Sequence, residues 1–346
     1  MGKTWAKVAY DSQNICESQI VAKFVSGVSR NMKLIIQIPC FNEADSLPVT
    51  LSALPRTVLG FDSVEWLIID DGSSDETLNV AKAHGVDHVV SSVVNKGLAS
   101  AFIKGIEASL RLGADVIVNT DADNQYNAED IPVLIQPILE NRAEIVVGTR
   151  PIEYIEDFSL IKKLLQQFGS SVVRKVSRTN VVDATSGFRA MSRTAAQSLM
   201  VYGNYTYTLE TIIQAGQKNI AIVSVPIRVN RVLRPSRLVK STPSYVRRSI
   251  ATIIRIIVIY RPFRFFASIG LVLFLIGFLF ISRFVWFYLR GDGNGHLQSL
   301  TLGTGILVVG FQTLLIAFIA DLLAANRKLI EDIRFKLQNI SEKIYE

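Results

Sequence analysis

Two apolar runs, "FFASIGLVLFLIGFLFISRFVWFYL" (265–289) and "LTLGTGILVVGFQTLLIAFIADLL" (300–323), constrain this chain more than any other feature. Each exceeds the roughly 20 residues that a helix needs to cross a ~30 Å hydrocarbon core. Core helices of soluble domains seldom run so long without a polar face. The formal charges inside the runs are Arg283 and Asp321. Arg283 is close enough to the end of its run to reach a headgroup, and Asp321 lies near an interface. The expectation is a multi-pass integral membrane protein with two spans.

The flanks predict its orientation. Arg247, Arg248, Arg255, Arg261 and Arg264 precede the first run, and Arg327, Lys328, Arg334 and Lys336 follow the second. Between them "RGDGNGHLQS" offers Arg290 as its basic group. The positive-inside rule then places the N-terminal domain and the C-terminal tail in the cytoplasm of the cell. These juxtamembrane arginines also account for much of the net charge of +7. No basic segment interleaved with aromatics accompanies them, so nucleic acid is not an expected partner. Cys16 and Cys40 are too few for a disulfide framework, which fits a reducing compartment. Residues 1–31 lack the apolar core of a secretion signal and read as an extension of unknown role. Within them "SQIVAKFVSGVSR" (18–30) has the pattern of a short amphipathic helix, and Met32 is an alternative start.

From residue 33 onward short apolar runs alternate with helical spacing. "KLIIQI" (33–38, ended by Pro39), "VEWLIID" (64–70), "DHVVSSVV" (87–94), "DVIVN" (115–119) and "AEIVVG" (143–148) read as strands. Continuous apolar strands separated by helices predict a mostly parallel sheet covered on both faces. Ser73 and Glu76 have the capping-box spacing for a helix that ends near Gly85. In such sheets ligands bind beyond the carboxyl ends of the strands. Three polar clusters fall there: "PCFNE" (39–43), "DDGSSD" (70–75) and "DADNQ" (121–125). Any one alone is an ordinary polar loop; three at one sheet edge are a candidate site. No G-x-G-x-x-G or Walker A loop follows the first strand, which removes the main support for dinucleotide and P-loop readings.

Two aspartates one residue apart cannot face the same way on a continuing strand, but in a turn both can converge on one cation. Asp and Gln oxygens suit Mg²⁺ or Mn²⁺, held through one or two carboxylates plus substrate phosphates. A D-x-D triplet by itself is weak, since turns are rich in Asp. Its place after an apolar strand, one βα unit beyond "DDGS", strengthens it.

With "TSGFRAMSR" (185–193), these clusters resemble in order the motif series of glycosyltransferase family 2, over about residues 32–240. The nearest likeness is to its polyprenyl-phosphate, dolichol-phosphate mannose synthase-like branch. The resemblance implies an α/β GT-A nucleotide-sugar fold with a mostly parallel sheet, followed by interfacial helices and two transmembrane helices. It implies that Pro39, Phe41 and Glu43 line the nucleotide and that Asp71 accepts a base N–H. Asp121 then stands at the ribose and metal, with Asp123 and Gln125 as further metal positions. Asn124 departs from the apolar residue common in relatives and leaves the ligand set unchanged.

For the acceptor, the resemblance implies that Arg150 grips a lipid phosphate, aided by Lys162 and Gln166, with Lys163 as the competing register. Lysine in place of arginine supplies a point charge and no fork. Arg231 and Ser236 match positions that cover the diphosphate, with Arg237 in the usual lysine place. Arg228 and Arg234 are alternatively headgroup contacts. Ser186, Gly187 and Arg189 would shape the acceptor pocket. Thr211 after Glu210 replaces the second member of an acidic pair, which fits an enzyme that needs no base. "STPSYVRRSIATIIRIIVIYRPFR" (241–264) reads as one or two amphipathic interfacial helices.

The expected organisation is thus an extension (1–31), a catalytic domain (32–240), interfacial helices (241–264), two spans (265–323) and a C-terminal helix (324–346). The expected partners are a UDP- or GDP-sugar, a polyprenyl phosphate and the membrane. Gly270, Gly277, Gly303, Gly305 and Gly310 in the spans would also permit homo-oligomer packing. A processive polysaccharide synthase is a weaker reading, because Trp5, Trp66 and Trp286 lie in no Q-x-x-R-W motif. A non-catalytic membrane scaffold would have no need of converging acids.

Overall fold

The computed structural model describes residues 31–151, 160–199, 207–230, 250–251, 254–255, 257–291 and 294–345, with the backbone alone for 160–168, 331–332, 334–336 and 338–345. Arg231, Ser236, Arg234, Arg237, the N-terminal extension with Cys16, and residues 241–249 lie outside the described residues, as do the side chains of Lys162, Lys163 and Gln166. Two compact units are present: residues 1–158 with 177–235, and residues 159–176 with 236–346. The helix Leu160–Ser177, expected within the catalytic domain, therefore groups almost wholly with the C-terminal helices.

The first unit is built on a seven-stranded sheet. Its strands are β1 (Lys33–Cys40), β2 (Ser63–Asp70), β3 (His88–Ser91), β4 (Val116–Asn119), β5 (Ile145–Thr149), β6 (Arg189–Ser192) and β7 (Ile222–Pro226). They lie in the order β3-β2-β1-β4-β6-β5-β7, and β6 alone runs antiparallel to its neighbours. Val116, Ile117, Val118 and Asn119 of β4 are all buried, as a central strand covered on both faces requires. Leu34, Ile36 and Ile38 of β1 join Leu47, Leu51, Ile131 and Leu134 in the core on one face. The helix Leu98–Arg111 packs on β1 and β2.

Three details differ from the sequence reading. β1 does not stop before Pro39 but continues to Cys40, with Pro39 opposite Ile69. Past Gln37 β1 pairs on one side only, because β4 ends at Asn119, so the missing proline N–H disrupts no second ladder. β3 is shorter than the apolar run, at His88–Ser91, and Val93 and Val94 are exposed beyond it. The capping box does not form. The helix starts at Thr77 with Glu76 at its cap and no side-chain cap bond. Ser73 Oγ instead accepts from the Asn42 amide, and Glu76 accepts from Asn79.

In the second unit, the helices Pro262–Leu289 and Leu297–Tyr345 pack against one another, and both contain stretches long and apolar enough to cross a membrane. The second is continuous through residue 323, so no break separates span from tail. A Cβ added at Gly270 would stand 3.0 Å from the Gly310 carbonyl, and one at Gly277 2.8 Å from that of Gly303. These four glycines therefore serve contact within the hairpin, and only Gly305 of the five is open. The described residues between 250 and 260 are helical, and that run breaks at Arg261 before Pro262.

Candidate active site

The register of β1 against β2 brings Cys40 opposite Asp70, so the loops after both strands leave at one edge. They are stitched together there. Ser74 N donates to Asn42 Oδ1 at 2.8 Å, Glu43 N to Thr77 Oγ1 at 2.8 Å, and Ala44 N to Asp75 Oδ2 at 3.1 Å. Pro39 is buried inside β1, while Phe41 is exposed at the edge and Glu43 accepts from Ser46 Oγ at 2.7 Å. Asp71 is buried. Its oxygens accept from the amides of Lys96 at 3.0 and 3.1 Å and of Gly97 at 2.7 Å. A carboxylate has about four lone-pair directions, which leaves one for a base N–H.

The D-x-D turn follows β4 on the same edge. Its shape is fixed from several sides. Thr50 Oγ1 donates to the Ala122 carbonyl at 2.8 Å, which anchors the peptide between the two acids. Asp123 Oδ1 accepts from Gln125 N at 3.1 Å. Asn124 has φ +55, a left-handed conformation that asparagine tolerates better than the apolar residues expected at this place. Beneath Asp121 lies Gly187: a Cβ there would stand 3.0 Å from both carboxylate oxygens and from Tyr207 Oη. Tyr126 accepts from Gly187 N at 2.9 Å and turns its hydroxyl to Asp121. Its ring stacks on Phe188 at 5.2 Å.

Burial first, and then the charge of Asp123, push the Asp121 carboxyl up to about 7, against the lowering effect of Arg150 and Tyr126. A buried carboxyl whose ionisation is opposed by burial and by a neighbouring acid marks a place that favours a cation. Among the described residues no group of three His, Cys, Asp or Glu side chains is placed to hold a metal ion. Asp121, Asp123 and the Gln125 carboxamide are hard oxygen donors. They fit Mg²⁺ or Mn²⁺ as a partial shell of the kind that substrate phosphates complete.

Arg150 follows β5 and is buried. It donates through Nε and Nη2 to Asp183 at 2.7 and 3.1 Å and to Thr185 Oγ1 at 2.8 Å. Burial raises the Asp183 carboxyl, but the Arg150 charge and hydrogen bonds outweigh it and hold the acid below its ordinary range. Arg189, also buried, donates to the carbonyls of Ser186 at 2.8 Å and Ala184 at 3.1 Å, and to Thr211 Oγ1. It thus braces the loop that carries Gly187, and Thr211 belongs to that brace. Glu210 is buried in the same helix. Arg228, read as a headgroup contact, instead pairs with Asp130 at 2.8 Å and Glu129 at 3.1 Å.

Sequence reasoning passed over Thr50, Tyr126 and Asp183. An acid two residues before "TSG" is the signal that would have pointed to a partner for Arg150. Thr50 and Tyr126 carry no such signal, because a helix threonine and a turn tyrosine are ordinary until the fold brings them to Ala122 and Asp121 of the D-x-D turn.

This edge and topology define a GT-A-like fold. Glucosyl-3-phosphoglycerate synthase from Mycobacterium tuberculosis, solved with Mn²⁺, UDP and its product, superposes with a TM-score of 0.53 at 22% identity, over 65% of this chain and 80% of that one. The glycosyl transferase family 2 model matches residues 35–200. The UDP-N-acetylglucosamine–dolichyl-phosphate N-acetylglucosaminyltransferase of Methanococcus voltae is 30% identical over 213 residues, 55% of this chain and 83% of its own. The undecaprenyl-phosphate mannosyltransferase of Micrococcus luteus is 29% identical over 218 residues, 60% of this chain and 88% of its own. The chain belongs to glycosyl transferase family 2.

Proposed function

We propose that this chain transfers one sugar from a UDP- or GDP-linked donor to a polyprenyl phosphate at the cytoplasmic face of the cell membrane, with inversion and with Mg²⁺ or Mn²⁺. The observation that carries the reading is the turn that sets Asp121, Asp123 and Gln125 at the sheet edge that Asp71 also faces. Two relatives named for polyprenyl-phosphate acceptors support it, as do two helices of membrane-crossing length.

The residues divide the work. Asp71, Phe41 and Glu43 bind and orient the nucleotide. Asp121, Asp123 and Gln125 would hold the cation, which when bound neutralises the diphosphate as it leaves. A phosphate monoester is anionic near neutral pH, with a second pKa of about 6, so the acceptor needs orientation more than a base. Its oxygen forms the new bond to the anomeric carbon as the bond to the diphosphate breaks, and an α-linked donor gives a β-linked product. Arg150 contributes positive charge on the acceptor side, with Lys162 and Gln166 of the helix Leu160–Ser177 as further acceptor contacts. Arg231 and Ser236 would cover the diphosphate.

The test is to incubate membranes containing the protein with radiolabelled UDP- and GDP-sugars, polyprenyl phosphate and either metal. Label should enter the lipid phase with one donor, and Asp123→Ala should abolish it without loss of membrane insertion. An absence of lipid-soluble label with every donor under both metals would refute the reading, and full activity in Asp123→Ala would refute the metal site.

A further inference from the structure

Beyond β7 the chain turns back along the D-x-D turn. Val229 forms an antiparallel bridge with Tyr126, and Asn127 N donates to the Arg228 carbonyl at 3.3 Å. The next residue makes the closest set of contacts. Asn230 N donates to the Gln125 carbonyl at 2.9 Å. Its side-chain Nδ2 donates to the carbonyls of Asn124 at 3.0 Å and Tyr126 at 3.2 Å, and lies 3.3 Å from Asn124 Oδ1. One residue therefore fastens three consecutive peptides, with Gln125 in the middle. The Thr50 contact holds the turn earlier, at the Ala122 carbonyl. Asp123 Oδ1 holds Gln125 N, and the left-handed Asn124 would otherwise be free to relax.

We propose that Asn230 is a positioning residue for the metal site: it sets the direction of the Gln125 side chain by locking the peptides on either side of it. This rests on the reading of Asp121, Asp123 and Gln125 as the cation-holding set. A partial shell is sensitive to such support, because a ligand that must find its orientation on binding loses part of its contribution to affinity. Removal of a group that orients a metal ligand typically lowers metal affinity by about 10–100-fold. Arg228 provides an internal comparison. It anchors the same segment through Asp130 and Glu129 but touches none of the three peptides around Gln125.

The experiment follows free Mn²⁺ by its EPR signal during titration of the purified full-length chain, alongside thermal unfolding. Wild type is compared with Asn230→Ala, Asn230→Asp, Arg228→Ala and Asp123→Ala. Asn230→Asp keeps the shape of the side chain and removes both donors, so it remains informative if the alanine variant does not fold. The expected result is a Mn²⁺ affinity about tenfold or more weaker in the Asn230 variants. Arg228→Ala should keep wild-type affinity even where its melting temperature falls as much. Wild-type affinity in both Asn230 variants, with Asp123→Ala losing the site, would overturn the role of Asn230 alone. Equal weakening in Arg228→Ala would reduce Asn230 to one member of a structural clamp and would overturn it too. Wild-type affinity in Asp123→Ala would instead overturn the metal-site reading on which it rests.

Discussion

Arg150 and Asp183 show how much of this site is decided by one buried charge pair. The Asp183 side chain is fully buried and that of Arg150 is 8% exposed, so neither can find water if the other is removed. Loss of one partner of such a pair typically costs about 3–5 kcal/mol, because a charge is left buried without compensation. Asp183→Asn should therefore lower stability at neutral pH by that amount, read from denaturant unfolding in detergent. The sign of its pH dependence follows from the depressed carboxyl. An unfolded aspartate titrates at about 3.9, and Asp183 in the fold titrates below that. Its contribution is complete above the unfolded value and is lost as pH falls through the folded one. The gap in stability between wild type and Asp183→Asn should thus be constant near neutrality and close below about pH 4. A gap that persists unchanged in acid would mean that the carboxylate charge is not what matters there.

At the scale of elements, close approach matters more than propensity. Gly187 lets the loop before β6 come within contact of Asp121, and Gly187→Ala would place a methyl 3.0 Å from both carboxylate oxygens. Because Asp121 sits between that loop and Tyr126, the acid would have to move. The expected outcome is a large loss of metal-dependent transfer with the far-ultraviolet circular dichroism unchanged. In the helical hairpin, a Cβ at Gly277 would stand 2.6 Å from Leu307 N, whereas one at Gly305 would meet nothing within 4 Å. Gly277→Leu should therefore melt at lower temperature in detergent than Gly305→Leu. Equal melting would mean that the hairpin does not depend on this contact.

The same elements show what was legible beforehand. Five strands of the sheet and both long helices follow from apolar runs, because burial on two faces writes itself as continuous hydrophobicity. Asp121 and Asp123 were legible because acids at a buried strand end are conspicuous. β6 was hidden: "RAMS" is short, polar at both ends, and becomes a strand by antiparallel pairing with both β4 and β5, with Arg189 buried against Ser186, Ala184 and Thr211. The capping box was misleading for the opposite reason. Ser73 and Glu76 have the right spacing, but Asn42 across the sheet edge takes the serine hydroxyl. Tertiary competition of that kind leaves no trace in a local pattern.

At the scale of the whole molecule, the proposed transfer would join a charged, water-facing chemistry to a lipid-borne acceptor, and this imposes one geometric demand: the nucleotide site and the acceptor phosphate must share a side of the membrane. If both long helices cross the membrane, they return the chain to the side from which it entered, and residues before the first and after the second face the same compartment. By the positive-inside rule, Arg255 before the first helix, Arg264 in its first turn, and Arg327 and Lys328 in the second helix would put this side in the cytoplasm. The connection around Gly295 would then be the segment exposed outside. Single cysteines test this directly, in a chain with Cys16→Ser and with buried Cys40 left in place. Gly295→Cys should react with a membrane-impermeant maleimide in intact cells. Ser341→Cys should react only after permeabilisation. The reverse pattern would put the nucleotide site on the side where UDP- and GDP-sugars are not made, and would exclude the proposed donor.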